Sequence, residues 1–215
     1  MKKAVILDMD GVISDTQNLH EVSESITFGK HGIKITPGQI RKEFTGRSDQ
    51  FIFNTVFKKF NKPLNFSEAS KEKYTLMTKL KNYEIKPIDG VIEYIKDLKK
   101  IGIKIAVASS APKDFIQTVI QNLKVSNYFD AMVSGDEVQH GKPEPDIFLY
   151  AAEKIKAAPQ DCIVIEDAPN GIKGAKLAKM LAVGITTTHT KKQLLQADLI
   201  IDSFKDIAPK KLINL

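Results

Sequence analysis

The stretch Ala4-Val5-Ile6-Leu7-Asp8-Met9-Asp10-Gly11 decides how this chain is read. Four apolar residues in a row, bounded by charge, fit a strand covered on both faces, as in parallel sheets packed between helices. The run delivers two carboxylates and then a glycine. Asp8 and Asp10 are two residues apart, so on a continuing strand they would share one side, unless the chain has already begun to turn. Carboxylates held close together repel each other, and the repulsion is relieved by a cation between them or by a proton on one of them. Either arrangement is useful chemistry at a strand end.

Outward from this stretch the pattern changes twice. From 16 to 83 the apolar spacing is helical, with turn signals at Gly32, Thr36-Pro37-Gly38, Thr45-Gly46 and Lys62-Pro63, and no strand is read in these residues. These residues are expected to form an all-helical unit, 16–83, inserted into a core made of 1–15 and 84–215. From Pro87-Ile88-Asp89-Gly90 onward helices and strands alternate. Val91, Tyr94, Ile95 and Leu98 mark a helix face that Gly102 terminates, and strands are expected at 103–108, 129–133, 162–165, 181–185 and 199–201. The helices between them present Phe115, Ile116, Val119 and Ile120, then Ile147, Phe148, Ala151 and Ala152, then the segment 170–179. Alternation of this kind predicts an α/β fold, a Rossmann-like three-layer core with a parallel sheet between helices.

Composition narrows the function classes. Apolar residues at 42% and charged residues at 27% over 215 residues are ordinary for a globular chain. The formal charge of +6 comes with scattered lysines and no aromatic-basic cluster, which suits a small anionic ligand and excludes nucleic acid as the expected partner. A single cysteine, Cys162, excludes an intramolecular disulfide and a multi-cysteine metal site, and its apolar run makes it a small core residue. Met1-Lys2-Lys3 precedes too short an apolar run for a signal peptide, and no run approaches the roughly 18 residues of a membrane span. A soluble cytoplasmic monomer, without membrane association, is expected.

In open α/β sheets the ligand lies outside the carboxyl ends of the strands. Those ends carry Asp8 and Asp10, then Ser109-Ser110, then Gly141-Lys142-Pro143 beyond the third strand, then Glu166-Asp167. Converging, they would bring carboxylates, a hydroxyl and a lysine together, which suits phosphoryl transfer with a hard cation such as Mg²⁺. There is no Cys/His cluster to suggest zinc, His140 reads as a loop residue, and His31 and His189 show no metal-ligand spacing.

The run Asp8-Met9-Asp10-Gly11-Val12-Ile13-Ser14-Asp15-Thr16, with Ser109, the block 141–148 and Glu166-Asp167-Ala168-Pro169-Asn170-Gly171, resembles the motifs of the haloacid dehalogenase superfamily. The resemblance spans nearly the whole chain and is nearest to the branch of phosphatases and β-phosphoglucomutases with a helical cap after the first motif. It implies a covalent mechanism. Asp8 would attack phosphorus, and Mg²⁺ would be held by the Asp8 carboxylate, the Asp10 backbone carbonyl and Asp167, with Glu166 nearby. Asp10 would act as acid and then base, Ser109 would hydrogen-bond the phosphoryl oxygens, and Lys142 would offset their charge. The dehalogenases of the superfamily lack the second acid, so Asp10 favours an oxygen leaving group.

The resemblance assigns substrate recognition to the cap and the loops beside it. Gly46 and Arg47 match a turn that grips the distal anion, and His20 matches in spacing a histidine of the β-phosphoglucomutases. Ser110 and Lys113 are further substrate candidates, although the loop Ser110-Ala111-Pro112-Lys113 lacks the Lys-Asn pair of the phosphoglucomutases. Lys73 and Lys79 are the candidates to replace their cap lysine. The block Gly135-Asp136-Glu137-Val138-Gln139-His140 also resembles pseudouridine-5′-phosphatases, and the Glu-Asp-Ala-Pro run resembles glycerol-3-phosphate phosphatases. The expected activity is Mg²⁺-dependent hydrolysis of a small phosphorylated metabolite, a phosphosugar or phosphopolyol, with β-phosphoglucomutase as the alternative. A receiver-type signalling domain is disfavoured because its acids come from different strands and it lacks a helical insert of this size.

Overall fold

A computed structural model of the protein describes residues 1–44, 48–79 and 85–215. The chain forms two compact units, Met1–Asp15 with Ile85–Leu215, and Thr16–Glu84. Its elements in chain order are β1 (Ala4–Leu7), β2 (Ser14–Asp15), α1 (Gln17–Lys30), α2 (Pro37–Phe44), α3 (Asp49–Lys59), α4 (Phe66–Lys79), β3 (Lys86–Pro87) and α5 (Val91–Lys100). There follow β4 (Lys104–Ser109), α6 (Lys113–Asn122), β5 (Ala131–Ser134), α7 (Asp146–Lys154), β6 (Cys162–Glu166), α8 (Pro169–Leu177), β7 (Leu181–Ile185), β8 (Leu199–Ile201) and α9 (Pro209–Leu212).

In the first unit six strands form one sheet in the order β5-β4-β1-β6-β7-β8, all parallel. The uninterrupted apolar run of β1 is explained by its place: it is hydrogen-bonded on both edges, and all of its residues are fully buried. Alternate residues serve different faces, so Ala4 and Ile6 join Ala106, Cys162 and Val164 in a core that α7 and α8 complete with Ile147, Phe148, Ile172 and Ala175. Helices α5 and α6 pack against β4 and β5. The expected faces of both helices are the buried ones. Cys162 is buried and free, and burial pushes its thiol up to about 11. A two-residue antiparallel ribbon, β2 with β3, lies where no strand was expected, because two residues are too few to show a periodicity.

The second unit has four helices among the described residues, packed around Phe28, Phe53, Phe57, Ile40 and Ile52. Phe28 and Phe53 meet with ring centroids 4.9 Å apart. No helix among the described residues is long and apolar enough to cross a membrane.

Candidate active site

Leu7 is in register with Val107 on one side and Ile165 on the other, so the residues that follow these three emerge together at one edge of the sheet. β1 is also where the strand order reverses, the position at which doubly wound sheets open a crevice. The Asp8 amide still donates to the Ile165 carbonyl at 3.0 Å, and then the chain turns. The Met9 carbonyl accepts from the amides of Val12, Ile13 and Ser14 at 3.3, 2.8 and 2.9 Å. Asp8 and Asp10 therefore flank a turn and do not share a strand face. Gly11 makes the turn at φ +81°, and any Cβ there would collide with the Asp167 carboxylate.

Lys142 is the hub. Its ammonium donates to Asp8 Oδ1 at 2.5 Å, to Glu166 Oε1 at 2.7 Å and to the Ala108 carbonyl at 3.1 Å, using its three protons on groups from β1, β4 and β6. The ammonium also lies 5.0 Å from the centroid of the Phe148 ring. Burial opposes the charge on Lys142, but the Asp8 and Glu166 carboxylates outweigh it and hold its pKa above the ordinary lysine value. The second Glu166 oxygen accepts from the Ala168 amide at 3.0 Å. Gly171 leaves the room for this carboxylate, because a Cβ there would overlap it.

Asp8, Glu166 and Asp167 are buried, and one oxygen from each lies within 4.8 Å of the others. Burial raises Asp8 well above the usual carboxylate range; Lys142 works against the rise, while Glu166, Asp167 and Asp10 add to it. Burial and the Glu166 charge push Asp167 up to about 8. One lysine leaves these acids with surplus negative charge. An all-oxygen carboxylate set with that surplus fits a hard divalent cation.

The other expected residues are distributed as follows. Ser109 is buried and its Oγ accepts from the Ala111 amide at 3.1 Å. Asp10 is half-buried and bridges to Ser14. Ser110 is exposed, and Lys113 pairs with Glu137 at 3.1 Å. Gly46 and Arg47 lie outside the described residues. His20 belongs to α1 of the helical unit, where it joins Glu24 and Asp49 in a second acidic cluster. Lys73 occupies that cluster: it is fully buried and donates to Glu24 at 2.7 Å and Asp49 at 2.6 Å, so its ammonium is committed to the interior and does not replace a substrate-binding lysine. Burial disfavours the Asp49 charge, yet Lys73, His20 and the Tyr74 hydroxyl hold its carboxyl below the ordinary range.

Sequence reading overlooked a fifth strand end. After β7, Thr187 Oγ1 donates to the Gly11 carbonyl at 2.5 Å and Thr188 Oγ1 donates to Asp167. The available signal was position alone, since the turn after any strand of a parallel sheet reaches the same edge.

A parallel sheet that brings buried acids and one lysine together at its carboxyl edge defines an α/β protein with a candidate catalytic site there. The chain belongs to the haloacid dehalogenase-like hydrolase family, whose model matches residues 5–185. A β-phosphoglucomutase of Bacillus subtilis is 33% identical over 218 residues, which cover 95% of this chain and 91% of that protein. A phosphorylated carbohydrates phosphatase of Thermotoga maritima is 29% identical over 219 residues, covering 99% of this chain and 97% of that one. The crystal structure of a β-phosphoglucomutase from Clostridium difficile is similar with a TM-score of 0.83 at 28% identity, over 100% of this chain and 96% of the other.

Proposed function

We propose that the chain is a Mg²⁺-dependent phosphatase of a small phosphorylated metabolite, a phosphosugar or phosphopolyol, acting in the cytoplasm as a monomer through an aspartyl-phosphate. The observation that carries this reading is Asp8 at the switch point of the sheet, with Oδ1 held at 2.5 Å by a lysine that Glu166 also anchors. Burial would favour a protonated, unreactive Asp8, and the Lys142 ammonium opposes that by stabilising the carboxylate. An Asp8 oxygen attacks phosphorus, the bond to the leaving oxygen breaks, and Asp10 donates a proton to that oxygen. Asp10 then takes a proton from the water that attacks the aspartyl-phosphate, releasing inorganic phosphate and regenerating Asp8. Lys142 offsets charge on the phosphoryl group, and Ser109 hydrogen-bonds one of its oxygens.

The Asp8 and Asp167 carboxylates and the Asp10 carbonyl would hold Mg²⁺, with Glu166 beside them; the ion supplies charge neutralisation on the phosphoryl oxygens. His20, Gly46, Arg47, Ser110 and Lys113 are proposed to read the remainder of the substrate. The second reading, a β-phosphoglucomutase, is favoured by the 33% identity to the Bacillus subtilis enzyme. It differs in passing the phosphoryl group to a sugar hydroxyl instead of water. Phosphate release across a panel of sugar and polyol phosphates, measured beside conversion of β-glucose-1-phosphate to glucose-6-phosphate, separates them. Efficient isomerisation without free phosphate would overturn the phosphatase reading. Asp8→Asn is expected to lower turnover by at least about 10³-fold.

A further inference from the structure

We propose that Thr188 is a positioning residue for Asp167, and that the turn after β7 is thereby part of the apparatus that binds the metal. The inference rests on the metal reading above and adds a component that none of the motif residues supplies. Thr188 Oγ1 donates to Asp167 Oδ2. Its neighbour Thr187 donates through Oγ1 to the Gly11 carbonyl at 2.5 Å. Two consecutive hydroxyls thus tie one turn to the Asp-x-Asp-Gly segment and to the acidic pair after β6.

The Asp167 carboxylate is confined from several directions. The backbone of Gly11 lies against it so closely that a Cβ would overlap Oδ2, and the same Cβ would meet Thr188 Cγ2 at 3.0 Å. The terminal torsion of an aspartate is otherwise broad, so an unheld carboxylate would sample many planes. With Oδ2 engaged by the hydroxyl and Gly11 against it, the plane of the group is set before any cation arrives.

The direction of the hydroxyl is set in turn. A threonine hydroxyl has one proton and two lone pairs. With that proton on Asp167, the 2.8 Å contact between Thr188 Oγ1 and His189 Nδ1 requires the histidine to be the donor. His189 is itself buried. The chain of contacts His189 to Thr188 to Asp167 therefore has one sense. Outer partners of this kind orient metal ligands, and their loss typically weakens metal binding about 10–100-fold.

The test is calorimetric titration of Mg²⁺ into metal-stripped protein, with phosphatase assays at varied Mg²⁺ beside it. Thr188→Val keeps the shape and removes the hydroxyl. It is expected to raise the Mg²⁺ dissociation constant about 10-fold or more and to shift the Mg²⁺ dependence of turnover equally, while turnover at saturating Mg²⁺ stays within a few-fold of wild type. Thr188→Ser restores the hydroxyl and is expected to restore the affinity. Should the valine variant fail to fold by circular dichroism, Thr188→Ala carries the same expectation. An unchanged Mg²⁺ affinity in the hydroxyl-free variant overturns the role of Thr188 and leaves the metal reading standing. No saturable Mg²⁺ binding by wild type overturns both.

Discussion

Lys142 illustrates how much geometry one side chain can hold. Its ammonium is the common partner of Asp8, Glu166 and the Ala108 carbonyl, so Lys142→Met strands two buried carboxylates without a counter-charge. Removing one member of a buried ion pair costs about 3–5 kcal/mol, less whatever protonation recovers. Denaturant melts are expected to show a loss of that order, together with activity near background. Lys142→Arg should restore little, because a planar guanidinium cannot direct its donors along the directions a compact ammonium reaches. The meeting of Asp8, Lys142, Glu166 and Asp167 was legible in the sequence because each lies at or beyond the end of an apolar run read as a strand. The setting of Lys73 was not: the sequence offers it as a cap lysine, and only the folded chain shows it buried between Glu24 and Asp49.

At the level of elements, α8 carries a glycine where helix propensity argues against one. Gly171→Ala in an ordinary helix interior would stabilise by roughly 0.5–1 kcal/mol. Here the added methyl overlaps the Glu166 carboxylate, so the sign is expected to reverse. Thermal melts should show a lower midpoint and assays a lower turnover, since Glu166 can yield only by releasing Lys142 or Ala168. In the helical unit Lys73 fastens α4 to Glu24 of α1 and to Asp49 at the start of α3. Lys73→Met alone should destabilise by about 3–5 kcal/mol, whereas the triple change with Glu24→Gln and Asp49→Asn should recover much of the loss. Denaturant titration of the variants checks both expectations. The helices and the alternating strands were legible because amphipathic faces and buried runs are written over many residues. The ribbon of β2 with β3 and the hydroxyls after β7 were not, because each depends on a pairing across the chain that no local window contains.

For the whole molecule, the crowded acids make stability depend on pH in an inverted way. Asp8 and Asp167 have folded pKa values above their unfolded ones, so the folded state holds their protons more tightly. The Asp167 contribution is present at low pH and is lost as pH rises from about 4 to about 8, and that of Asp8 is lost in the same direction. Acids with lowered values, such as Asp130 and Asp198, act in the opposite sense but below the ordinary aspartate value of 3.8, outside this window. In EDTA the melting temperature is expected to fall between pH 5 and pH 8. With Mg²⁺ in excess it should hold steady, because a ligand that binds only the folded state stabilises most where the acids are ionised. Parallel thermal scans with and without the ion measure this, and a chelated profile that climbs across the window would count against it.

The central place of β1 has a consequence for assembly. Its neighbours in the sheet are Lys104–Ser109 and Cys162–Glu166, both beyond the helical unit in sequence, so the strand that carries Asp8 is paired only after long loops close. Such closures are entropically slow, whereas contacts among the described helices of Thr16–Glu84 are short in sequence and form early. A nascent chain would therefore carry an apolar segment that waits, unpaired, while the helices behind it have already condensed.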